Sequence, residues 1–354
     1  MMGSAYPFKN LVFQGGGVKT FAYLGALDVL EAEGILPQIQ RVAGASAGAM
    51  LGMLVSFRLS AAEISRLYAS LEFSKIPGLR RAQDVLGTVP DFLALPLNSV
   101  IGNTNALDRL VNRFGWYSTE YAYEWLQGVI AEQCDGNRRA TFAEFRERGF
   151  LDLYVVATDI SARTARTFSA KHTPEAAVAD ALRMSASIPL FFEALRFNGN
   201  QLGEGNFYAD GGVLDNFPMR VFDHPDFGED NPHYQAMVNG ETLGCRLYTP
   251  ADCDWIQARH PIGNLIDYIE ALLETILEAQ VVAFDNNPAD RQRTININDC
   301  CVQATDFEVQ PDPNNLKYRQ LLAEGRQAAA DFLRQYTPIR KPPFAFFMPR
   351  RKKR

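Results

Sequence analysis

The pentapeptide Gly44-Ala45-Ser46-Ala47-Gly48 constrains the fold more than any other feature of this sequence. It follows a short apolar stretch, 39–43, that predicts a β-strand, and precedes helix-forming residues at 49–55. Glycine fits where a turn leaves no room for a side chain, so the two flanking glycines indicate a sharp strand-to-helix turn. The pattern predicts a nucleophile elbow that holds the serine at a helix start. The alternative is a close-packed turn with an inert serine.

A second glycine-rich turn lies upstream. Residues 10–14 predict a short buried strand, and Gly15, Gly16 and Gly17 then lead into a helical pattern from Thr20 to about Glu33. Successive glycines leave backbone N–H groups free to converge on an anion. We therefore expect an oxyanion hole here, serving a negative charge that develops during reaction.

The rival interpretation of this turn is a nucleotide-binding loop, which two residues exclude. A Walker loop requires glycine before the lysine, where Val18 stands, and a dinucleotide fingerprint requires glycine where Thr20 stands. Lys19 either reinforces the anion site or is a solvated cation in the first turn.

A third motif surrounds Asp210. The aspartate ends a predicted strand, two glycines follow it, and a helix is predicted to start at Pro218. This arrangement predicts a carboxylate presented by a tight turn, which makes Asp210 a candidate general base. An ordinary Asp-Gly turn is the alternative.

Together with Ser185-Ala186-Ser187-Ile188-Pro189-Leu190-Phe191-Phe192, these motifs resemble those of the patatin-like phospholipase family. The glycine triplet with its basic residue, the serine elbow, the Ser-x-Ser-x-Pro segment and the Asp-Gly-Gly turn occur in the order that family uses. They span roughly the first 220 residues, and the predicted helix 316–333 looks like the end of such a domain.

The resemblance implies a serine–aspartate dyad without histidine. Ser46 would attack the ester carbonyl of a phospholipid or lysophospholipid, Asp210 would act as general base, and amides around Gly15–Gly17, with Lys19, would hold the oxyanion. Galactolipids and neutral glycerides are further substrate classes that the resemblance allows. No metal and no cofactor are expected. Because a free aspartate has a pKa near ~3.9, we expect the site to desolvate Asp210 or to stabilise the serine alkoxide.

Two other functions remain open. One is a Ser-His-Asp esterase of the common α/β-hydrolase type, in which His224 would follow Asp210 along the chain. The early position of the elbow, after one predicted strand, favours the patatin-like interpretation. The other is a latent or catalytically silent lipid-binding module, which an activator would switch on or which would act without turnover.

The fold expected for the 354 residues is a single α/β domain at 8–335, with a mostly parallel central sheet flanked by helices. Strand-like runs at 153–157, 166–168 and 245–248 alternate with helical stretches. Residues 73–103 are apolar but interrupted by proline and glycine. They predict either a lid or membrane-facing cap over the elbow, or irregular core packing.

The C-terminal tail, 336–354, combines aromatic and basic residues. From position 340 onward it holds seven of the 35 basic residues and none of the 41 acidic ones. Apolar side chains beside cations are typical of a peripheral membrane anchor, although a solvated tail fits as well. The acidic body argues against nucleic-acid binding.

The five cysteines are scattered, apart from the adjacent Cys300 and Cys301, and show no metal-ligand spacing. We expect neither a disulfide framework nor a zinc site, and hence a reducing compartment. The sequence shows no signal-peptide pattern and no membrane-spanning apolar run. It predicts a cytoplasmic protein, with or without peripheral membrane contact, and leaves delivery by a specialised secretion system open.

Overall fold

A computed structural model describes residues 6–76, 112–228, 231–253, 262 and 265–338. Most of the predicted lid, from residue 77 onward, and nearly all of the basic tail lie outside the described residues. The helices are α1 Phe21–Ala32, α2 Ser46–Ser56, α3 Ala61–Ala69, α4 Glu120–Gln133, α5 Phe142–Glu147, α6 Val178–Ser185, α7 Gly212–Asp215, α8 Leu265–Asp285, α9 Pro288–Gln292 and α10 Leu316–Gln335.

The strands are β1 Asn10–Phe13, β2 Arg41–Ala45, β3 Gly115–Tyr117, β4 Asp152–Asp159, β5 Thr164–Phe168, β6 Leu190–Phe192, β7 Leu195–Phe197, β8 Asn206–Asp210, β9 Tyr234–Gln235, β10 Val238–Asn239, β11 Thr242–Tyr248 and β12 Thr294–Asn298. The central sheet has the order β12-β11-β1-β2-β4-β8-β7, and β5 pairs with β4 outside this path. Pairing is parallel from β12 through to β4 and antiparallel for β5, β7 and β8. The predicted α/β fold with a mainly parallel sheet is confirmed.

The central strands consist mostly of apolar residues, because helices pack on the sheet and bury these strands. All four residues of β1 are buried, as are the last seven of the eight in β4. Helix α2 packs on β1, β2 and β4, and α1 packs along α10. The predicted late helix is therefore part of the core.

The lengths of β4 and β2 bring the serine and the aspartate together. Parallel pairing of the two strands ends at Ala45 beside Val156, but β4 continues to Asp159. The extra residues of β4 pair with β8, with Ala157 opposite Asp210. The end of β8 therefore lies one residue beyond the end of β2, next to Ser46.

Two expectations need correction. Cys253 and Cys301, 48 residues apart in sequence, form a disulfide, so the expectation of no disulfide is wrong, and the inference of a reducing compartment loses its support. The helix predicted to start at Pro218 is a 3-10 helix, Met219–Asp223, and a separate short helix, α7, precedes it at Gly212–Asp215. Among the described residues, each helix is either too short or too polar to cross a bilayer.

Candidate active site

Ser46 lies on a strained turn between β2 and α2. Its φ angle is +52°, in the left-handed region that non-glycine residues seldom occupy. A Cβ at Gly44 would lie 2.7 Å from the backbone of Gly48, and one at Gly48 would lie 2.5 Å from the carbonyl oxygen of Gln14. Neither position has room for a side chain. The residue of the turn with a strained backbone conformation is Ser46.

The hydroxyl of Ser46 is hydrogen-bonded to Asp210. Ser46 Oγ donates to Asp210 Oδ2 at 2.6 Å, and the Gly212 N–H donates to Asp210 Oδ1 at 2.6 Å. Asp210 is 5% exposed. Burial raises the pKa of this carboxyl to about 6, although the hydrogen bonds from Ser46 and Gly212 act to lower it. This is the desolvation that a basic aspartate requires.

The glycine turn lies beside the serine. An ideal Cβ at Gly15 would lie 3.0 Å from Ser46 Cβ. The Gly15 N–H donates to the Asn216 carbonyl oxygen at 3.0 Å, and the Val18 N–H donates to Ala304 O at 3.2 Å. The N–H groups of Gly16 and Gly17 have no acceptor among the described residues. They are available to an anion.

Lys19 makes an ion pair instead of remaining solvated. Its Nζ lies 3.0 Å from Oδ2 of Asp299, a carboxylate with no exposed surface. The alternative of a solvated cation is therefore wrong. The charge of Lys19 is balanced by a residue that the sequence analysis did not connect with the site.

Two further residues that the sequence analysis did not assign position the serine and the aspartate. The Ser46 N–H donates to Ser185 Oγ at 2.9 Å, and that hydroxyl donates to Val156 O at 2.6 Å. Gln280 of α8 donates from Nε2 to Gly212 O at 2.8 Å, in the turn that follows Asp210. The Ser-x-Ser motif could have identified Ser185, whereas no local signal identifies Gln280.

The histidine interpretation is contradicted. His224 is 62% exposed and its Nδ1 lies 3.2 Å from Asp226 Oδ1. His172 hydrogen-bonds to Ser169 Oγ at 2.9 Å. Ser46 Oγ bonds directly to Asp210, and His224 hydrogen-bonds to neither of them, so the three residues form no triad. Across the described residues, no three His, Cys, Asp or Glu side chains cluster in a way that could hold a metal ion.

An apolar cavity of about 50 Å³ opens beside Ser46. It is smaller than the ~300 Å³ at which ligand pockets usually begin, so an acyl chain needs a wider cavity than this one. Phe73 and Ile76, at the described start of the predicted lid, form part of its wall. The other large apolar lining residues are Met50, Leu126, Ile188, Phe192 and Phe307.

A mainly parallel α/β sheet with a serine on a strained elbow places the chain among proteins of the nucleophile-elbow class. Comparison with known proteins narrows this class. The sequence model of the family described as "Patatin-like phospholipase" matches residues 11–223, more than half of the chain. The chain belongs to the patatin-like phospholipase family, a family of lipid ester hydrolases, and the predicted resemblance is confirmed.

Relatives extend the similarity beyond the matched region. The uncharacterized Bacillus subtilis protein YqhO is 28% identical over 332 residues, which cover 92% of this chain and 98% of YqhO. A protein of invertebrate iridescent virus 6, named a probable lipid hydrolase, is 26% identical over 215 residues, covering 60% of this chain and 63% of its own. The crystal structure of VipD from Legionella pneumophila shares the fold, with a TM-score of 0.51 and 19% identity, over 94% of this chain and 68% of VipD.

Proposed function

We propose that this protein hydrolyses carboxylic ester bonds of phospholipids or lysophospholipids through Ser46 and Asp210. The observation that carries the proposal is the 2.6 Å hydrogen bond from Ser46 Oγ to the buried carboxylate of Asp210. Ser46 is the hydroxyl to be activated, and the carboxylate is in position to take its proton.

The reaction proceeds in two steps. Ser46 Oγ attacks the ester carbonyl carbon while Asp210 takes the hydroxyl proton, and the N–H groups of Gly16 and Gly17 bind the oxyanion. The tetrahedral intermediate collapses to an acyl-serine, and Asp210 returns the proton to the departing lipid alcohol. Water then attacks the acyl-serine with Asp210 again as base, which releases the fatty acid and restores the hydroxyl.

The pKa of Asp210 favours this role. A carboxyl whose pKa is about 6 is a stronger base than an exposed aspartate and is still mostly ionised at pH 7. Protonated Asp210 cannot accept the serine proton. Activity is therefore expected to rise with pH through about 6.

The lining of the cavity supports an acyl chain as the group bound next to Ser46. Phe73, Leu126 and Phe307 present apolar surface there, and Arg183 is neutralised by Glu120 and Glu193 at 2.8 and 3.5 Å. We propose that substrate entry widens the cavity on the side of Phe73 and Ile76. We also propose that residues 340–354, with their basic and aromatic side chains, recruit the protein to a membrane surface.

The small volume of the cavity favours a second candidate, a latent enzyme or silent lipid-binding module. Turnover by the purified protein separates the two functions. Mixed micelles of a phosphatidylcholine or a lysophosphatidylcholine are incubated with the protein, and released fatty acid is quantified by mass spectrometry. Ser46→Ala should lose turnover by about a thousandfold or more while keeping its fold.

The matched control is Ser70→Ala, which changes an exposed serine at the end of α3. It should keep the activity of the natural chain. Fatty-acid release that Ser46→Ala retains would contradict the proposal. Lipid binding without release in the natural chain and in both variants would favour the silent module.

A further inference from the structure

The loop that follows β12, residues 299–304, contacts the glycine turn. Ala304 O accepts the Val18 N–H at 3.2 Å, and the Ala304 backbone leaves no room for a side chain at Gly17. Asp299 accepts from Lys19 Nζ at 3.0 Å. The loop therefore contacts the turn at Gly17, Val18 and Lys19. We call residues 299–304 the clamp loop.

Asp299 is the centre of the clamp loop. Besides Lys19, its Oδ2 accepts from Thr249 Oγ1 at 2.6 Å, and its Oδ1 accepts from the Cys301 N–H at 3.1 Å. The carboxylate has no exposed surface, so its position is fixed by these three partners. Thr249 follows β11 and Lys19 follows β1, so a single carboxylate links the carboxyl ends of three neighbouring parallel strands.

The clamp loop is itself constrained. Cys300 and Cys301 have φ angles of +56° and +60°, a left-handed conformation in two successive non-glycine residues. Such strain persists where the surrounding structure enforces it. The disulfide to Cys253 joins Cys301 to the segment after β11. The loop is thus a rigid support.

We propose that Asp299 is a positioning residue for the proposed oxyanion hole. Its ion pair with Lys19 fixes the turn that presents the N–H groups of Gly16 and Gly17. The inference deepens the proposed function and rests on it. Asp299 lies outside residues 11–223, the part of the chain that the family model covers.

The geometry of the glycine turn explains why it needs this support. An oxyanion hole acts only if its donors are fixed at hydrogen-bond distance from the oxygen before the charge develops. Three successive glycines have little intrinsic rigidity, so the turn must be held by its neighbours. Elbow contacts fix Gly15, while Ala304 and Asp299 fix the residues after Gly17. Loss of the ion pair should move the donors while the large apolar side chains that line the cavity stay in place.

A double-mutant cycle on the full chain tests the inference, with p-nitrophenyl butyrate as a water-soluble ester. Asp299→Asn and Lys19→Met should each lower kcat by about ten- to a hundredfold and leave KM within about twofold. The kcat of the double variant should be no lower than that of the less active single variant, because either substitution alone already breaks the ion pair. A merely structural role would not confine the loss to kcat.

The chain supplies a matched control pair at the other end of β1. Lys9 Nζ lies 2.6 Å from Glu241 Oε1, and that carboxylate is also largely buried. Lys9→Met and Glu241→Gln should leave kcat unchanged. The inference is overturned if folded Asp299→Asn has the kcat of the natural chain. It is also overturned if the fold-losses of kcat in the two single variants multiply in the double variant. A loss in Lys19→Met alone would assign Lys19 a direct role in place of Asp299.

Two further arms keep the result decisive. If Asp299→Asn fails to fold, Thr249→Val is measured in its place, because it removes another partner of the carboxylate. This variant should have a lower kcat and an unchanged KM. A kcat equal to that of the natural chain would overturn the inference. Ser46→Ala is measured in parallel. Ester turnover that survives in Ser46→Ala contradicts the proposed function, and the inference falls with it. Turnover that is lost in Ser46→Ala but unchanged in Asp299→Asn overturns the inference and leaves the proposed function intact.

Discussion

Burial of Asp210 strengthens it as a base and costs stability. The carboxyl titrates near ~3.9 in an unfolded chain and at about 6 in the folded protein. Between about pH 4 and 6 the folded state therefore binds more protons than the unfolded state. Under proton linkage, the free energy of unfolding then falls as pH rises through this window. The same property that suits Asp210 to accept the proton of Ser46 makes the ionised folded state less stable.

Asp210→Asn should separate these two effects. At pH 8 the variant should be more stable than the natural chain by about 2–3 kcal/mol, the energy that corresponds to raising the pKa from ~3.9 to about 6, whereas at pH 4 the difference should nearly vanish. Ester turnover should fall by about a hundredfold or more, because an amide cannot accept the proton. Urea denaturation at both pH values, with turnover at pH 8, measures both quantities.

The comparison between variant and natural chain is necessary because burial also raises the pKa of Asp215 to about 6. Asp215 contributes the same pH dependence to both proteins, so it cancels in the difference. A variant that is less stable than the natural chain at pH 8 would contradict the assignment of a destabilising buried charge to Asp210.

At the scale of elements, the close crossing of α1 and α10 joins the end of the chain to the core beside the glycine turn. Gly325 of α10 lies against the carbonyl oxygen of Ala22, and Gly25 of α1 lies against that of Leu322. Neither glycine has room for a Cβ. Because α1 begins directly after the glycine turn, this crossing also fixes the helix that follows the proposed oxyanion hole.

Gly325→Ala should lower the free energy of unfolding by about 1–3 kcal/mol, because the added methyl group must push the helices apart. Gly128→Ala is the matched control. Gly128 also lies within a helix, α4, but a Cβ there meets no atom within 4 Å. That substitution should stabilise the protein by about 0.5–1 kcal/mol through helix propensity. Thermal and urea unfolding compare the two, and equal effects of the same sign would contradict the close crossing.

Across the whole molecule, the residues that can be predicted from sequence are those that belong to short motifs of neighbouring residues. Gly44, Ser46 and Gly48 predict their own turn, and Asp210 ends a strand as expected. That Asp210 is hydrogen-bonded to Ser46 depends on β4 extending past β2, a length that local spacing does not specify. The family resemblance supplied that pairing as an implication.

The remaining features arise from contacts between distant segments. Lys19 and Asp299 are 280 residues apart, and Cys253 and Cys301 are brought together by the ends of β11 and β12. A single sequence carries no periodic or motif signal for such pairs. The alternative of a solvated Lys19 and the expectation of no disulfide failed for this reason.

The most direct test of an activated Ser46 is labelling of the purified protein with a fluorophosphonate, followed by mass spectrometry to locate the adduct. We predict an adduct on Ser46 that is absent in Ser46→Ala, forms at least about a hundredfold more slowly in Asp210→Asn, and is unchanged in Ser70→Ala. Labelling is run with and without phospholipid micelles, since the cavity beside Ser46 has a volume of only about 50 Å³. No adduct on the folded protein under either condition, or an adduct on another serine, would contradict the assignment of Ser46 as an activated nucleophile.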